Sequence, residues 1–294
     1  MNSKIIALKI KKRIQTLILI IGFIFLISCD SKVPENHGKV ESKLFLSKIK
    51  NQPLVVAFGG SEGGMIYADE PTQKFRDKAL ANGYAVLSIG YFGTENTPSE
   101  IDRISLDAIY DTIQNYRSHP LINGDIVALL GSSRGGELVL NLASKYEDFS
   151  AIVAIAPSNV SLPNQFGGFQ KSSWTYDGEE IPFIKAPSNA IKIIRGGNFY
   201  DGMVKILDDK PVIEEAAIPV EKIKCPILII SAKNDEVWPS AKMSELIIQR
   251  LKRNNFKYNF EHVQINSGHE APSNDIIFDF FNKSFKNEKP LTKN

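Results

Sequence analysis

The 294 residues are 43% hydrophobic and 23% charged, which excludes a disordered chain and leaves room for one large core. Five basic residues (Lys4, Lys9, Lys11, Lys12 and Arg13) and no acidic ones fall in residues 1–28, so without that segment the formal net charge moves from +2 to −3. No basic stripe is then left for a nucleic acid, and two cysteines, Cys29 and Cys225, exclude a disulfide framework.

The basic stretch leads into an apolar run over residues 16–27, too short to span a bilayer comfortably and of the length of a signal-peptide core. It closes on Leu26-Ile27-Ser28-Cys29, which resembles the bacterial lipobox. The resemblance implies a signal peptide over residues 1–28 and a lipid on Cys29. It also implies a protein held at a membrane outside the cytoplasm, in the periplasm or at the cell surface. The alternative is an uncleaved membrane anchor. Residues 29–45 are expected to be a tether, most polar over 30–38, and residues 46–290 the folded domain. Cys225 precedes a strongly apolar run and is expected to be a small buried side chain.

Beyond the tether, short apolar runs alternate with longer amphipathic stretches. Residues 54–58 read as a strand ending at Gly59-Gly60, 71–82 as a helix and 84–89 as a strand. Ile101, Ile104, Ile109 and Ile113 recur at helical spacing, which predicts a helix over 101–117. A strand over 126–130 is followed by a Gly/Ser turn and a helix through Leu138, Leu142 and Ala143, then a strand over 151–156. Residues 157–219 break the rhythm, being rich in Pro, Gly, Asn and aromatics, and are expected to form a lid insertion. A strand over 226–231, a helix over 241–253, a strand over 260–265 and a helix over 275–285 complete the pattern. Continuous apolar strands separated by amphipathic helices predict an α/β chain with a mainly parallel, doubly wound sheet.

One turn carries chemistry. Gly131-Ser132-Ser133-Arg134-Gly135 matches G-x-S-x-G, with a buried strand before it and a helix after it. In that frame Ser133 is the nucleophile, because Leu130 would occupy the first glycine position if Ser132 were. A serine needs a base, and the chain has four histidines. His37 is in the tether, His119 precedes Pro120 at a helix end, and His262 lies within a strand; His269 alone follows a strand in a loop, after Ser267-Gly268. Asp235, just past the strand over 226–231, is the candidate carboxylate that orients it, with Glu236 as a competitor. The order Ser133, Asp235, His269 is that of an α/β-hydrolase fold. For the oxyanion hole, one donor is the N–H of Arg134. The other is the N–H of Ser61 or Glu62, within Gly59-Gly60-Ser61-Glu62-Gly63-Gly64.

Four stretches extend the pattern beyond these three residues: Gly131-Ser-Ser-Arg-Gly-Gly-Glu137, Ser173-Trp-Thr-Tyr-Asp-Gly178, Asp235-Glu-Val-Trp-Pro-Ser240 and Gly268-His269. In these the chain resembles the C-terminal catalytic domain of the acyl-CoA thioesterase and bile acid-CoA:amino acid N-acyltransferase family. The resemblance implies Ser133, Asp235 and His269 as a triad, and serine in place of the acyltransferases' cysteine implies hydrolysis rather than transfer to an amine. Coenzyme A thioesters are cytoplasmic, so expected export points to an exported carboxylic-ester or thioester hydrolase. Neither a cofactor nor a metal is expected. The expected partners are a small acyl ester or thioester and a membrane reached through the lipid anchor. Gly60, Trp174 and Trp238 are the candidate substrate contacts. Tyr176, Phe183 and Phe199 would either line a pocket or form the insert's own core, and Arg134 and Arg195 would either meet an anion or face solvent. Two other readings compete: a non-catalytic, lipid-anchored binding protein on a hydrolase scaffold, and a small peptidase of the same fold.

Overall fold

The computed structural model describes residues 32–164, 169–271 and 274–286; Cys29 and the signal-like segment lie outside them. The fold is that of the unit Pro34–Asn294. Its strands are β1 (Glu41–Phe45), β2 (Gln52–Phe58), β3 (Ala85–Gly90), β4 (Ile104–Ser105), β5 (Ile122–Ser132), β6 (Ala151–Ile155), β7 (Trp174–Tyr176), β8 (Glu179–Glu180), β9 (Ile227–Ala232) and β10 (Phe260–Ile265). Its helices are α1 (Gln73–Ala81), α2 (Leu106–Arg117), α3 (Arg134–Lys145), α4 (Ser188–Arg195), α5 (Phe199–Leu207), α6 (Lys210–Ala216), α7 (Ser240–Arg253) and α8 (Asn274–Lys286).

Seven strands form one sheet in the order β1-β3-β2-β5-β6-β9-β10, parallel except for β1 at the edge. Successive residues of β2 face opposite layers. Leu54, Val56 and Phe58 pack with α2, α3 and α7, while Val55 and Ala57 pack with α1 and α8. Burial on both faces explains why the inner strands read as unbroken apolar runs. The fold is an α/β-hydrolase fold.

The chain turns outward in one direction after β2 and in the other after β5, so the sheet's topological switch point lies between these two neighbours. A crevice opens at the carboxyl ends of strands at such a point. Register brings the loops together there: Phe58 lies beside Gly131, Ser132 beside Ile155 and Ala232 beside Ile265.

Three local expectations change. Residues 41–45, expected within the tether, form the edge strand β1 against β3, pairing Glu41 with Gly90 and Phe45 with Val86. The helix expected from residue 101 begins at Leu106, because the Ser105 hydroxyl accepts the Ala108 N–H (3.1 Å) and caps it there. Ile101 and Ile104 are still buried, ahead of the helix, and β4 joins β7 and β8 in a second, three-stranded sheet. The insertion over 157–219 is more regular than its composition suggests: it holds β7, β8 and α4–α6 over its own apolar cluster of Val160, Ile184, Ala190, Met203 and Ile206. Among the described residues no helix is long and apolar enough to cross a membrane.

Candidate active site

Ser133 sits between β5 and α3 with φ 56° and ψ −118°, a backbone conformation that non-glycine residues seldom adopt. Packing around it leaves no alternative. A Cβ on Gly131 would lie 2.0 Å from the Gly135 carbonyl oxygen, and one on Gly135 would lie 2.4 Å from that of Gly59. Ser133 N–H donates to Ile155 O at 2.8 Å, tying the turn to β6. The glycines of the motif are therefore a consequence of contact between the turn and its neighbours, and the serine is raised at the positive end of α3.

His269 follows β10 and faces this serine: its Nε2 is 2.9 Å from Ser133 Oγ. On the other side of the ring, Nδ1 is 2.9 Å from both carboxylate oxygens of Asp235. An Nδ1–H donated to the carboxylate leaves Nε2 as acceptor for the serine hydroxyl. Asp235 Oδ1 also accepts the N–H groups of Val237 (2.9 Å) and Trp238 (3.1 Å). Burial pushes this carboxyl up, but hydrogen bonds from His269, Ser240 and Trp238 outweigh it and hold the group below the usual aspartate range.

Glu236 has a different task from the one considered for it. Its Oε2 accepts the His269 backbone N–H at 3.0 Å, and it fills the space a side chain at Gly268 would need, with Oε2 2.7 Å from the ideal Cβ position. It fastens the histidine loop while Asp235 holds the ring. The other histidines lie elsewhere. His262 Nε2 pairs with Ser231 Oγ (2.8 Å) between β9 and β10, and His119 Nδ1 accepts Leu121 N–H (3.3 Å).

The glycine loop after β2 abuts the serine, and a Cβ on Gly60 would meet Ser133 Cβ at 3.0 Å. Gly60 N–H is taken by the Glu62 carboxylate (2.9 Å), which folds back over the loop. Among the described residues the N–H groups of Ser61 and Arg134 donate to no protein acceptor. Tyr91, fully buried at the end of β3, donates its hydroxyl to Gly59 O at 3.0 Å and so fixes the loop from beneath. Sequence reasoning missed Tyr91 because it reads as one more apolar residue after a strand.

An apolar cavity of about 480 Å³ adjoins the site, lined by Ser61, Arg134 and Val237 together with Ile184, Phe199 and Met203 of the insertion. All three expected substrate contacts lie outside this lining: Gly60 is packed against Ser133 instead, and the two tryptophans have other partners. Trp174, the first residue of β7, is fully buried and its Nε1–H donates to Glu137 Oε1 (2.7 Å), so it is a core residue. Trp238 donates to Ala156 O (3.1 Å) and presents its ring edge-on to His269 at 5.4 Å, which makes it a support for the imidazole. Phe199 does line the cavity, and Arg195 stands exposed at its rim. The Arg134 side chain is buried rather than solvated, and its guanidinium is paired with Glu137 and Ser173.

A serine, a histidine and a carboxylate stand in hydrogen-bonded line at the end of a mainly parallel sheet, and the class is that of an α/β-hydrolase-fold chain. Within that class the chain belongs to the family BAAT / Acyl-CoA thioester hydrolase C terminal, whose model matches residues 104–272. It is 28% identical over 223 residues to acyl-coenzyme A thioesterase 2, mitochondrial, of Mus musculus, covering 75% of this chain and 46% of that protein. Acyl-coenzyme A thioesterase 1 of Homo sapiens is 29% identical over 223 residues, covering 74% and 49%. The chain thus spans about half the length of the curated relatives it matches. Among solved structures, a puromycin-hydrolyzing peptidase of Mycobacterium tuberculosis superposes with a TM-score of 0.59 at 14% identity, covering 88% of this chain and 39% of that one. Est1E from Butyrivibrio proteoclasticus with bound ferulic acid gives 0.54 at 17% identity, covering 88% and 98%. These likenesses show the fold.

Proposed function

We propose that this chain is a serine hydrolase of acyl thioesters or carboxylic esters, working through an acyl-enzyme on Ser133. The observation that carries the reading is the line Asp235–His269–Ser133, with 2.9 Å at each step, beside an apolar cavity. Ser133 Oγ attacks the acyl carbon as His269 Nε2 takes its proton, and ionised Asp235 stabilises the imidazolium that forms. The tetrahedral oxyanion lies against the N–H groups of Arg134 and Ser61. Ser61 is preferred to Glu62 because it lines the cavity with Arg134, while the Glu62 side chain is folded onto Gly60. Collapse expels the thiol or alcohol, which takes its proton from His269. Water, deprotonated by the same nitrogen, then frees the acid and restores the serine.

A fluorophosphonate probe tests the reading: wild type should be labelled on Ser133, and unlabelled, correctly folded wild type would sink it. Comparing thioesters with oxygen esters of the same acyl group then decides the leaving group. Thioester hydrolysis is supported by the family and by the names of the relatives.

Export and a lipid on Cys29 are proposed from the basic and apolar segments and the Leu26–Cys29 quartet. A C29A variant should lose incorporated fatty acid and leave the membrane fraction; retention of both would refute the anchor.

A further inference from the structure

The carboxylate of Glu137, one turn into α3, is fully buried, yet Ser133, His269 and Asp235 do not touch it. It accepts from Arg134 Nη1 through one oxygen, and from Leu162 N–H (2.8 Å) and Trp174 Nε1–H (2.7 Å) through the other. The second guanidinium nitrogen of Arg134 donates to Ser173 Oγ, which donates to Pro163 O at 2.8 Å, and the guanidinium lies over the Trp174 ring at 5.5 Å. Leu162, Pro163, Ser173 and Trp174 all belong to the insertion. The residue immediately after the strained serine is therefore held through both arms of its guanidinium, one by its own helix and one by the cap.

Stability alone does not call for this arrangement, since a buried ion pair is often replaced by apolar side chains without loss. What an apolar pair would not supply is direction. The planar guanidinium fork fixes the orientation of the residue that carries it, and an unusual backbone conformation persists only where its surroundings over-determine it.

We propose that Glu137 is a positioning residue for the oxyanion site: it clamps Arg134 between α3 and the cap, so that the Arg134 N–H stays aligned beside Ser133. The proposal rests on the reading of Ser133 as nucleophile. It makes the cap a fixed part of the catalytic floor at this point, joined to it by polar contacts.

The test uses the full chain, a p-nitrophenyl hexanoate assay and the fluorophosphonate labelling rate. In E137Q, kcat and the labelling rate should fall together by roughly 10- to 100-fold, because a small misplacement of a reacting group has that effect. KM should stay within about threefold, the mark of an interaction made in the transition state. R134Q should show a similar loss, and the E137Q/R134Q double variant should be no worse than R134Q alone, because the two act through one clamp. Additive losses, a rise in KM at unchanged kcat, or a folded E137Q labelled as fast as wild type would each overturn the proposal. If E137Q does not fold, W174F removes one donor to Glu137 and keeps the ring: a kcat drop of about threefold or more at unchanged KM is expected, and unchanged kcat refutes the clamp. Wild type that is never labelled refutes the hydrolase reading instead, whatever the variants do.

Discussion

The floor of the site and the cap above it are built on different principles. In the floor, conformation follows from backbone contact: Gly131 and Gly135 admit no side chain, and Asp235 and His269 come from the loops beyond β9 and β10. In the cap, short helices rest on a small apolar cluster, with Trp238 and Met243 of the sheet domain completing it. A rigid floor keeps reacting atoms within hydrogen-bond reach. Away from the contacts that tie it to Arg134 and Glu137, a cap of interlocking aliphatic side chains can change its cavity without disturbing them. The expected division is that the floor sets the rate and the cap selects the acyl group.

Replacing the groups proposed to react should have the largest effect. S133A and H269A should each lower kcat by more than about 10⁴-fold with the fold intact, as loss of a nucleophile or base does elsewhere. Steady-state ester hydrolysis measures this, and residual activity within tenfold of wild type would move the chemistry away from Ser133.

D235N should come next, at roughly 10³- to 10⁴-fold in kcat, because an amide favours the wrong imidazole tautomer. It also carries a stability prediction. The folded Asp235 carboxyl lies below its ordinary value, so its ionised form stabilises the native state above the unfolded aspartate value of about 4. That contribution is lost as pH falls through the lower folded value. Thermal melts should therefore show wild type losing stability relative to D235N on acidification below about pH 4. Parallel curves would contradict the assignment.

Within the cap, M203A should enlarge the cavity and shift kcat/KM toward longer acyl chains by about tenfold, the scale of one or two methylenes in an apolar pocket. It should leave kcat on short esters nearly unchanged. A uniform fall across chain lengths would erase the proposed division between floor and cap.

The smallest effect is expected where the two regions meet. W238F removes the bond to Ala156 O but keeps a ring against His269, so kcat should fall by about 2- to 10-fold, the scale of one hydrogen bond. If the fall matched that of D235N, Trp238 would have to act on the reaction itself.

The amino-acid sequence by itself determined the parts whose physics is local. Unbroken apolar runs specified buried parallel strands, the glycines of Gly131–Gly135 marked a turn that no bulkier residue could make, and strand-end positions singled out Asp235 and His269. Tertiary structure decided everything that depends on which distant group faces which. It put Trp174 in the core and Trp238 against the imidazole, gave the ring to Asp235 and the loop backbone to Glu236, and turned residues 41–45 into an edge strand. It also buried Arg134 against a glutamate one turn away. A tryptophan or a carboxylate has the same local preferences in a pocket wall as in a core. Only the long-range packing of the cap on the sheet settles which partner it meets and whether water reaches it.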